Sequence, residues 1–317
     1  MFHADNSRDF ARLPYVSFRR IFTLSVPEYP LLLIYYIMEA PITTTSNVGG
    51  RTINTAYSGS IPENYDKYLG PLFFEPYAIE VGTRIAALRP LAVLELACGT
   101  GRVTKHLLAA CAPGGKVIAT DINPAMLSEA RRNVPSSTIE WNTVDAVALP
   151  YADASFDAIV CQFGVMFLSN RVKAYSEAHR VLKPGGTLLV SSWDALEFNP
   201  IEQLTDALLH EFFPEDTPQF YSIPFAYNNE SVMRRELQQS GFSDISIERV
   251  KLEGSGSSPE DAAIGLLEGI PVVGEILARD PTALPIMEKR LASDIAARFG
   301  RGKIVAPMQA WFITARR

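Results

Sequence analysis

Short apolar runs alternate with helical patterns through residues 90–195, and this alternation is the clearest feature of the chain. Nearly uniform apolar runs are typical of parallel strands that are buried on both faces. The pattern predicts five strands, at residues 91–96, 116–121, 138–142, 156–161 and 186–193. Strands that alternate with helices in this way indicate a parallel α/β sheet covered on both sides.

The flanking segments have mainly helical patterns. Residues 61–89 are predicted to be helical, and their aromatic-rich face contains Tyr65, Tyr68, Leu69, Phe73 and Phe74. Two further helical segments are expected at about 196–240 and 255–300, and two more strands near 244–252 and 304–315. Apolar residues recur at helical spacing in both segments: Ile201, Leu204, Leu208 and Phe212 in the first, and Ile264, Leu267, Val272, Val273 and Ile276 in the second.

These patterns divide the chain into three parts. Residues 1–50 form an N-terminal extension that is expected to be poorly ordered, and its last residues, 43–50, read as a polar loop or linker. We expect residues 1–37 to be dispensable, with Met38 as an internal start. Residues 51–195 form the α/β core with an N-terminal helical lid. Residues 196–317 supply a helical cover and the last two strands of the same sheet.

Composition and charge exclude several classes of protein. With 47% hydrophobic residues, the 317-residue chain can bury a large core, and its formal net charge of −6 argues against nucleic-acid binding through phosphates. The apolar run at residues 31–38 is too short to span a bilayer, so no stable membrane insertion is expected. Three cysteines without a CxxC pair suit a reducing, cytoplasmic setting.

A glycine-bearing loop directly follows the first strand of the core. It reads Glu95-Leu96-Ala97-Cys98-Gly99-Thr100-Gly101, and a helical pattern begins at Val103. Small residues there let the backbone turn sharply and approach a ligand closely. Asp121 stands at the end of the second strand, where a carboxylate can accept hydrogen bonds from a ribose diol. The pair of features predicts a ligand that contains adenosine.

The loop favours a zwitterionic nucleoside over a dinucleotide. A dinucleotide site usually has three glycines, as GxGxxG, with the pyrophosphate at the helix N-terminus, whereas Thr104 occupies the third position here. Glu95 would repel a pyrophosphate and attract a methionine ammonium group. These residues therefore favour S-adenosylmethionine over NAD.

Several motifs, in order, resemble the class I S-adenosylmethionine-dependent methyltransferases of the ubiquinone/menaquinone-biosynthesis type (methyltransferase type 11-like). The resemblance covers roughly residues 60–195. The motifs that carry it are 95–101, 121–127, 145–157 (Asp145-Ala146, Leu149-Pro150 and Ser155-Phe156-Asp157) and 179–186. It implies a seven-stranded, mostly parallel Rossmann-like sheet with a reversed last strand, helices on both faces and a helical substrate cover.

The resemblance also assigns roles to individual residues. It implies that Glu95, Ala97, Gly99 and Gly101 hold the methionine moiety and the ribose side, where Ala97 replaces a commoner glycine. Asp121 would bind the ribose hydroxyls, Ile122 and Met126 would cover the adenine, and Asp145 and the Ala146 amide would face its edge. Gln162 would face the methionine end, and Tyr65 and Tyr68 lie in a helix that closes over the cofactor.

Some of these residues have purely structural alternatives. Asp121 and Asp145 could cap helices, the two tyrosines could be core, and Asp157 reads as a surface residue at a strand start. Cys98 and Cys161 read as pocket and core fillers, and His106 and His179 as structural residues. His210 is the histidine to test as a catalytic base, because it lies in the predicted cover. No cluster has metal-ligand spacing, so no metal is expected.

These observations predict an enzyme that moves the methyl group of S-adenosylmethionine to a small acceptor by in-line displacement. The apolar faces of the cover favour a neutral lipophilic or aromatic acceptor. Two alternatives stay open: a cofactor-binding, non-catalytic regulatory subunit, and an NAD-dependent oxidoreductase.

Overall fold

A computed structural model describes residues 45–48, 51–54, 57–256 and 258–317. The expectations for residues 1–37 and for most of the N-terminal extension lie outside these residues. The extension's last residues differ from the predicted loop, because Thr45–Val48 (β1) and Arg51–Asn54 (β2) pair as an antiparallel hairpin. Gly49-Gly50 between them is a dipeptide favoured in two-residue hairpin turns, and the sequence reading overlooked it.

A seven-stranded sheet forms the core. Its strands are β3 (Ala92–Glu95), β4 (Lys116–Asp121), β5 (Ile139–Thr143), β6 (Phe156–Gln162), β7 (Leu182–Trp193), β8 (Ser243–Gly256) and β9 (Ile304–Arg316). They lie in the order β5-β4-β3-β6-β7-β9-β8. Only β9, among these seven, runs antiparallel to its neighbours, β7 and β8. The predicted mostly parallel sheet with a reversed last strand is confirmed.

Strand β7 begins four residues earlier than predicted. The resemblance implies a turn over 179–186 that leads into a strand beginning at residue 186. In the structure, Leu182 already pairs with Phe156 of β6. The register then shifts between Phe156 and Ala158, and Gly185 adopts a left-handed φ of 78°. The turn is therefore an irregularity inside the strand, which glycine permits.

Helices cover the sheet on both faces. They are α1 (Ile61–Asn64), a π-helix (Tyr65–Phe74), α2 (Glu75–Leu88), α3 (Thr104–Ala110), α4 (Pro124–Asn133), α5 (Arg171–Val181), α6 (Pro200–Phe212), α7 (Glu230–Gln239), α8 (Pro259–Glu268), α9 (Val272–Arg279) and α10 (Leu284–Phe299). The predicted helical segments are confirmed at 61–88, 200–239 and 259–299. Within the described part of the chain, no helix has the length and apolar character needed to cross a bilayer.

Polar caps set where several helices begin. The Asn123 side chain accepts hydrogen bonds from the amides of Ala125 and Met126, and Pro124 occupies the first helical position of α4. Asn170 and Asn229 cap α5 and α7 in the same way. These caps satisfy amides that have no partner inside the helix. They fix the points at which the chain leaves the strand ends and enters the covering helices.

The strand order changes direction between β3 and β6. The chain runs outward from β3 to β4 and β5 on one side, and from β6 to β7 on the other. Ligands of open α/β sheets bind beyond the carboxyl ends of the strands at such a switch point. The loops after Glu95 of β3 and Gln162 of β6 both lie there.

Candidate functional site

In the loop after β3, every second residue from 97 to 101 has a left-handed backbone conformation. Ala97, Gly99 and Gly101 have φ values of 52°, 56° and 83°. A Cβ atom at Gly101 would lie 3.2 Å from Ala130 Cβ of α4, so glycine also permits close packing there. Ala97 is strained, because a left-handed backbone costs a residue with a Cβ atom about 1–2 kcal/mol.

Asp121 fastens this loop to the end of β4. Its Oδ2 atom accepts a hydrogen bond from the Gly99 amide at 2.9 Å, and its Oδ1 atom accepts one from the Asn123 amide at 2.8 Å. The side chain is buried, and burial raises the pKa of its carboxyl group above the ordinary value. A carboxylate has about four acceptor positions. Asp121 therefore keeps the loop in place and retains capacity for ligand hydroxyl groups.

Two buried polar atoms in the loop region have no partner. Oε2 of Glu95 and Oε1 of Gln162 are both buried without a hydrogen bond in the described part of the chain. Both residues line a cleft with Ala97, Gly99 and Thr100. Burial raises the pKa of Glu95 to about 8. Such orphaned acceptors are costly unless a ligand satisfies them, and a ligand with an ammonium group would fit this cleft.

An ion-pair network attaches the cleft to the π-helix, and sequence reasoning missed it. Arg102 Nη2 lies 2.7 Å from Asp66 Oδ1, which also accepts a hydrogen bond from the Thr100 hydroxyl at 2.8 Å. Glu75, the first residue of α2, lies 2.8 Å from His106 Nε2 and 3.3 Å from Arg102 Nη1. The spacing of these residues, 27 to 36 positions apart, gave no local signal. His106 has the structural role that was expected.

Arg102 also provides a positive charge at the cleft. Its side chain lines the cleft, and its Nε atom is buried without a hydrogen-bond partner among the described residues. One acidic side chain, Glu95, and one cationic side chain, Arg102, therefore line the same cleft. This pairing of charges matches a ligand that carries both an ammonium and a carboxylate group.

Tyr65 and Phe74 form a wall between this cleft and a second cavity. The two rings stack with centroids 4.7 Å apart, and Tyr57 meets Tyr65 edge-on at 5.5 Å. Both wall residues line the cleft and the second cavity. Gln162 Nε2 donates to the carbonyl oxygen of Phe74 at 3.3 Å, which ties the wall to the end of β6.

The second cavity is lined mainly by aromatic rings. Phe163 follows the last residue of β6 with a left-handed φ of 53°, and its ring stacks on Trp193 at 3.9 Å. Strain of this kind often accompanies functional sites. Further aromatic lining comes from distant parts of the chain: Tyr57, Phe73, Phe167, Phe220, Tyr221 and Phe225.

The residues predicted at the adenine end lie beside Asp121. Met126 is buried in the first turn of α4, while Ile122 is 40% exposed. The amide of Val144 donates to the Asp121 carbonyl oxygen at 3.1 Å, which brings the loop after β5 to the same edge. Asp145 in that loop accepts from the Val147 amide at 3.1 Å within a turn, and no helix begins there, so the helix-capping alternative is wrong for this residue. Ala146, beside it, is partly buried.

The structure does not bring Tyr68 and His210 to the site. The Tyr68 hydroxyl accepts a hydrogen bond from Lys67 Nζ at 2.9 Å, and its Cβ atom packs beside Gly265 of α8. The side chain of His210 is 61% exposed, near the solvent end of α6, and its ring nitrogen contacts the Asp206 carbonyl oxygen at 2.9 Å. Neither residue lines the cleft or the aromatic cavity.

Four other residues, for which the sequence favoured a structural role, make contacts of that kind: Asp157, Cys98, Cys161 and His179. Asp157 lies at the amino end of β6, where its carboxylate accepts from the amides of Leu91 and Ala92 at 2.9 and 2.8 Å. Burial raises the pKa of the Cys161 thiol to about 12 and that of the Cys98 thiol well above its usual value. A thiol that stays protonated is a poor nucleophile. The ring of His179 packs edge-on against Phe242 at 5.2 Å.

Comparison with known proteins identifies the part of the chain around the cleft. Residues 94–190 match the family model described as a methyltransferase domain. A ubiquinone/menaquinone biosynthesis C-methyltransferase of Cronobacter sakazakii is 36% identical over 126 residues, which are 38% of this chain and 50% of that protein. A protein of the same name from Hydrogenovibrio crunogenus is 33% identical over 165 residues, 49% of this chain and 61% of that protein.

The chain spans about half of the length of the curated relatives that it matches. Among solved structures, phosphoethanolamine N-methyltransferase 2 of Haemonchus contortus, in complex with S-adenosyl-L-methionine, has a TM-score of 0.50. It is 16% identical, and the match covers 80% of this chain and 56% of that one. At this identity the likeness concerns the fold alone. Residues 94–190 of the chain thus form a methyltransferase domain, which is similar in sequence to ubiquinone/menaquinone biosynthesis C-methyltransferases.

Proposed function

We propose that the protein transfers the methyl group of S-adenosylmethionine to a small-molecule acceptor by in-line displacement. The observation that carries the proposal is the shared wall of Tyr65 and Phe74. It sets a polar cleft with an unpaired acid directly beside an aromatic cavity. A methyl donor and an apolar acceptor need two such spaces, one polar and one apolar, that meet at a single point.

The cleft supports a methionine-bearing nucleoside. In our proposal Glu95 binds the ammonium group, Arg102 binds the carboxylate, and Asp121 binds the ribose hydroxyl groups. Ile122 and Met126 cover the adenine ring, and Asp145 and the amide of Ala146 face its edge. The loop residues Ala97, Gly99 and Gly101 allow close approach, and Gln162 faces the methionine end.

An oxidoreductase that uses NAD is less consistent with the same cleft. A pyrophosphate would carry its charge to the head of the loop, where the buried Glu95 lies. Two like charges in a buried site repel each other strongly. The orphaned Glu95 Oε2 atom needs a hydrogen-bond donor, which an ammonium group supplies and a phosphate does not.

Bound S-adenosylmethionine would supply a methyl group that its sulfonium already activates. The protein's own share is to align the acceptor and exclude water, which can lower a barrier by about 7–11 kcal/mol when orientation is good. The rings around the second cavity suit water exclusion. Helices α6 and α8, from the two helical insertions, contribute to that cavity through Glu202 and Leu266, so we assign acceptor choice to these insertions.

The acceptor class follows from the lining of the second cavity. Its walls are mostly apolar and aromatic, which supports a lipophilic or aromatic small molecule. The names of the curated relatives refer to ubiquinone and menaquinone biosynthesis, in keeping with such an acceptor. The net charge of −6 gives no support to a nucleic-acid acceptor. The three free cysteines support a reducing, cytoplasmic location.

Calorimetry and turnover test the proposal in two steps. Titration with S-adenosylhomocysteine should show binding, and titration with NADH should show none; the reverse result would overturn the choice of cofactor. Incubation with methyl-labelled S-adenosylmethionine and a panel of quinols, phenols and amines should then yield a methylated product. Binding without turnover on the panel would favour the non-catalytic regulatory subunit.

Exchange of a cover segment tests where acceptor choice resides. Residues 196–235 would be replaced by the corresponding segment of a methyltransferase whose acceptor is known. We expect cofactor affinity to survive and acceptor preference to move. An unchanged preference would show that specificity lies outside this insertion.

A further inference from the structure

One acidic side chain lines the cavity, whose other lining residues are aromatic or aliphatic. Glu202 lies in the first turn of α6, is 5% exposed, and faces the cavity together with Tyr57, Tyr65 and Tyr221. Of the cavity-lining residues that the structure describes, it alone has a carboxyl or cationic group. A charged group in such surroundings is costly unless it is paired.

Among the described residues, no other side chain forms a hydrogen bond with this carboxyl group. Within the described residues, the hydrogen-bond donor that meets it is its own backbone amide. Acids are favoured in the first turn of a helix, and that preference explains why an acid stands at this position. It does not explain why the carboxyl group faces an apolar cavity instead of solvent, where most first-turn acids lie.

A second unsatisfied polar group lies in the same cavity. The hydroxyl of Tyr221 is buried near Thr205 and has no hydrogen bond of normal geometry within the described chain. Buried polar groups without partners are rare in folded proteins. The cavity therefore combines flat aromatic walls with one acid and one hydroxyl group that are both available to a ligand.

We propose that Glu202 is the base of the acceptor site and that it binds a flat, apolar acceptor through that acceptor's protic group, an aromatic hydroxyl. The inference rests on the proposed function and names its acceptor class. The aromatic walls bind the ring system of the acceptor, and Glu202 accepts a hydrogen bond from its hydroxyl. The Tyr221 hydroxyl is placed to bind a second polar atom of the same molecule.

The step balances with Glu202 in its ionised form. The acceptor oxygen, or a ring carbon activated by it, forms a bond to the methyl carbon. The bond from that carbon to sulfur breaks, and its electron pair stays on sulfur, which gives S-adenosylhomocysteine. The acceptor loses one proton, and the carboxylate of Glu202 receives it. No oxidant or reductant takes part.

The groups around Glu202 leave its titration easy to observe. Tyr57, Tyr65 and Tyr221 line the cavity with Glu202, Tyr77 interacts with it electrostatically, and burial raises the pKa of each tyrosine above its usual value. They all stay protonated up to pH 9. Asp206, one turn further along α6, is only partly buried and lies beside His210. Burial raises the pKa of Glu202 to about 8, so its ionisation falls inside a convenient pH range.

Binding of 2-naphthol and naphthalene to the full chain tests the inference without turnover. The two probes share a flat ring system, and only 2-naphthol has a hydroxyl group. A charge-assisted hydrogen bond should give wild-type protein a preference for 2-naphthol of about ten- to a hundredfold, increasing from pH 6.5 to 8.5. Glu202→Gln should bind naphthalene as the wild type does and lose both the preference and its pH dependence.

Glu197→Gln is the matched control, because Glu197 is exposed in the turn that precedes α6. It should behave as the wild type with both probes. An unchanged preference in Glu202→Gln overturns the inference, and so does a wild type that binds neither probe. Loss of S-adenosylhomocysteine binding in the wild type would instead contradict the proposed function, whatever the two probes show.

Discussion

The polar cleft and the aromatic cavity lie on opposite sides of one pair of rings, yet they are built in different ways. The cleft is local: residues 95–102 supply most of its lining, and Asp121 ties that loop to the neighbouring strand. The cavity is assembled from rings between Tyr57 and Phe225 that meet only in the folded chain. A binding site made by one loop leaves a sequence motif, whereas a site made by many elements leaves almost none.

The two spaces also differ in how they use their acids. In the cleft, Asp121 is held by two backbone amides, while Glu95 has one unpaired oxygen. In the cavity, Glu202 has only its own amide. Burial raises the pKa of Glu95 and of Glu202 to about 8. Two backbone amides thus hold Asp121 in place with acceptor capacity left for a ligand, whereas the described residues satisfy Glu95 and Glu202 less fully.

Asp121→Ala should have the largest effect on the cleft. Hydrogen bonds to a charged group contribute about 1.5–3 kcal/mol, so the dissociation constant for S-adenosylhomocysteine should rise roughly ten- to a hundredfold. Calorimetry on the folded variant measures this. Asp157→Ala is the matched control at the other end of the sheet, where affinity should stay unchanged. Equal affinity in Asp121→Ala and the wild type would contradict the assignment.

Glu95→Gln should remove a pH dependence from cofactor binding. The ammonium group binds the ionised carboxylate, and the raised pKa of about 8 leaves Glu95 mostly protonated at pH 7 in the free protein. Affinity for S-adenosylhomocysteine should therefore increase several-fold from pH 7 to pH 8, with release of a proton. The Gln variant should bind more weakly at pH 8 and show a flat profile. A wild-type profile without slope would rule out this role.

Tyr65→Ala and Tyr68→Ala should separate two tyrosines that the sequence could not distinguish. Tyr65 is part of the wall, and loss of an aromatic contact costs about 0.5–1.5 kcal/mol, so cofactor affinity should fall about three- to tenfold. Tyr68 packs beside α8 and contacts Lys67, and its variant should bind as the wild type does. Calorimetry on both variants decides the matter, and a larger loss in Tyr68→Ala would contradict the wall.

Ala97→Gly should have the smallest effect. Unlike most glycine substitutions, it should raise the free energy of unfolding. Glycine relieves the left-handed strain of about 1–2 kcal/mol but adds about 0.5–1 kcal/mol of chain entropy in the unfolded state. The free energy of unfolding should therefore increase by about 0.5–1 kcal/mol. Ala86→Gly, on the exposed side of α2, should lower it by about as much. Denaturant unfolding compares the two, and destabilisation by Ala97→Gly would show that the loop carries no strain.

Local sequence patterns predicted the strands and the loop after β3, but not the hairpin or the partners of Arg102. The strands of the core were found because buried parallel strands are nearly uniform apolar runs, and the loop after β3 was found because its glycines and acids are adjacent. The hairpin before residue 55 was missed because the polar run around Gly49-Gly50 resembles a linker. Arg102 was missed because its partners Asp66 and Glu75 are about thirty residues away.

Glu202 and His210 show why the second site was harder to predict. Both lie on α6, and His210 is the histidine that the sequence places in the predicted cover. Eight residues of helix separate them by about 12 Å along the axis and about 80° around it. Glu202 lines the cavity, whereas the His210 side chain is 61% exposed. Acids are common in the first turn of a helix. Glu202 differs from most of them by its burial among aromatic rings, which the sequence does not show.

The winding of the chain between Tyr65 and Phe74 has a consequence for the way the protein can vary. Nine positions separate the two rings, which is two and a half turns of an ordinary α-helix and would place them on opposite faces. The wider π-helix, with bonds from residue i to i+5, takes between four and five residues for each turn, so nine positions make about two turns. The stacked pair therefore depends on the number of residues in the segment more than on the identity of those between the rings. An exchange at an exposed position such as Lys67 leaves the partition between donor and acceptor intact, whereas the loss of a single residue would swing one ring away and merge the two spaces into one.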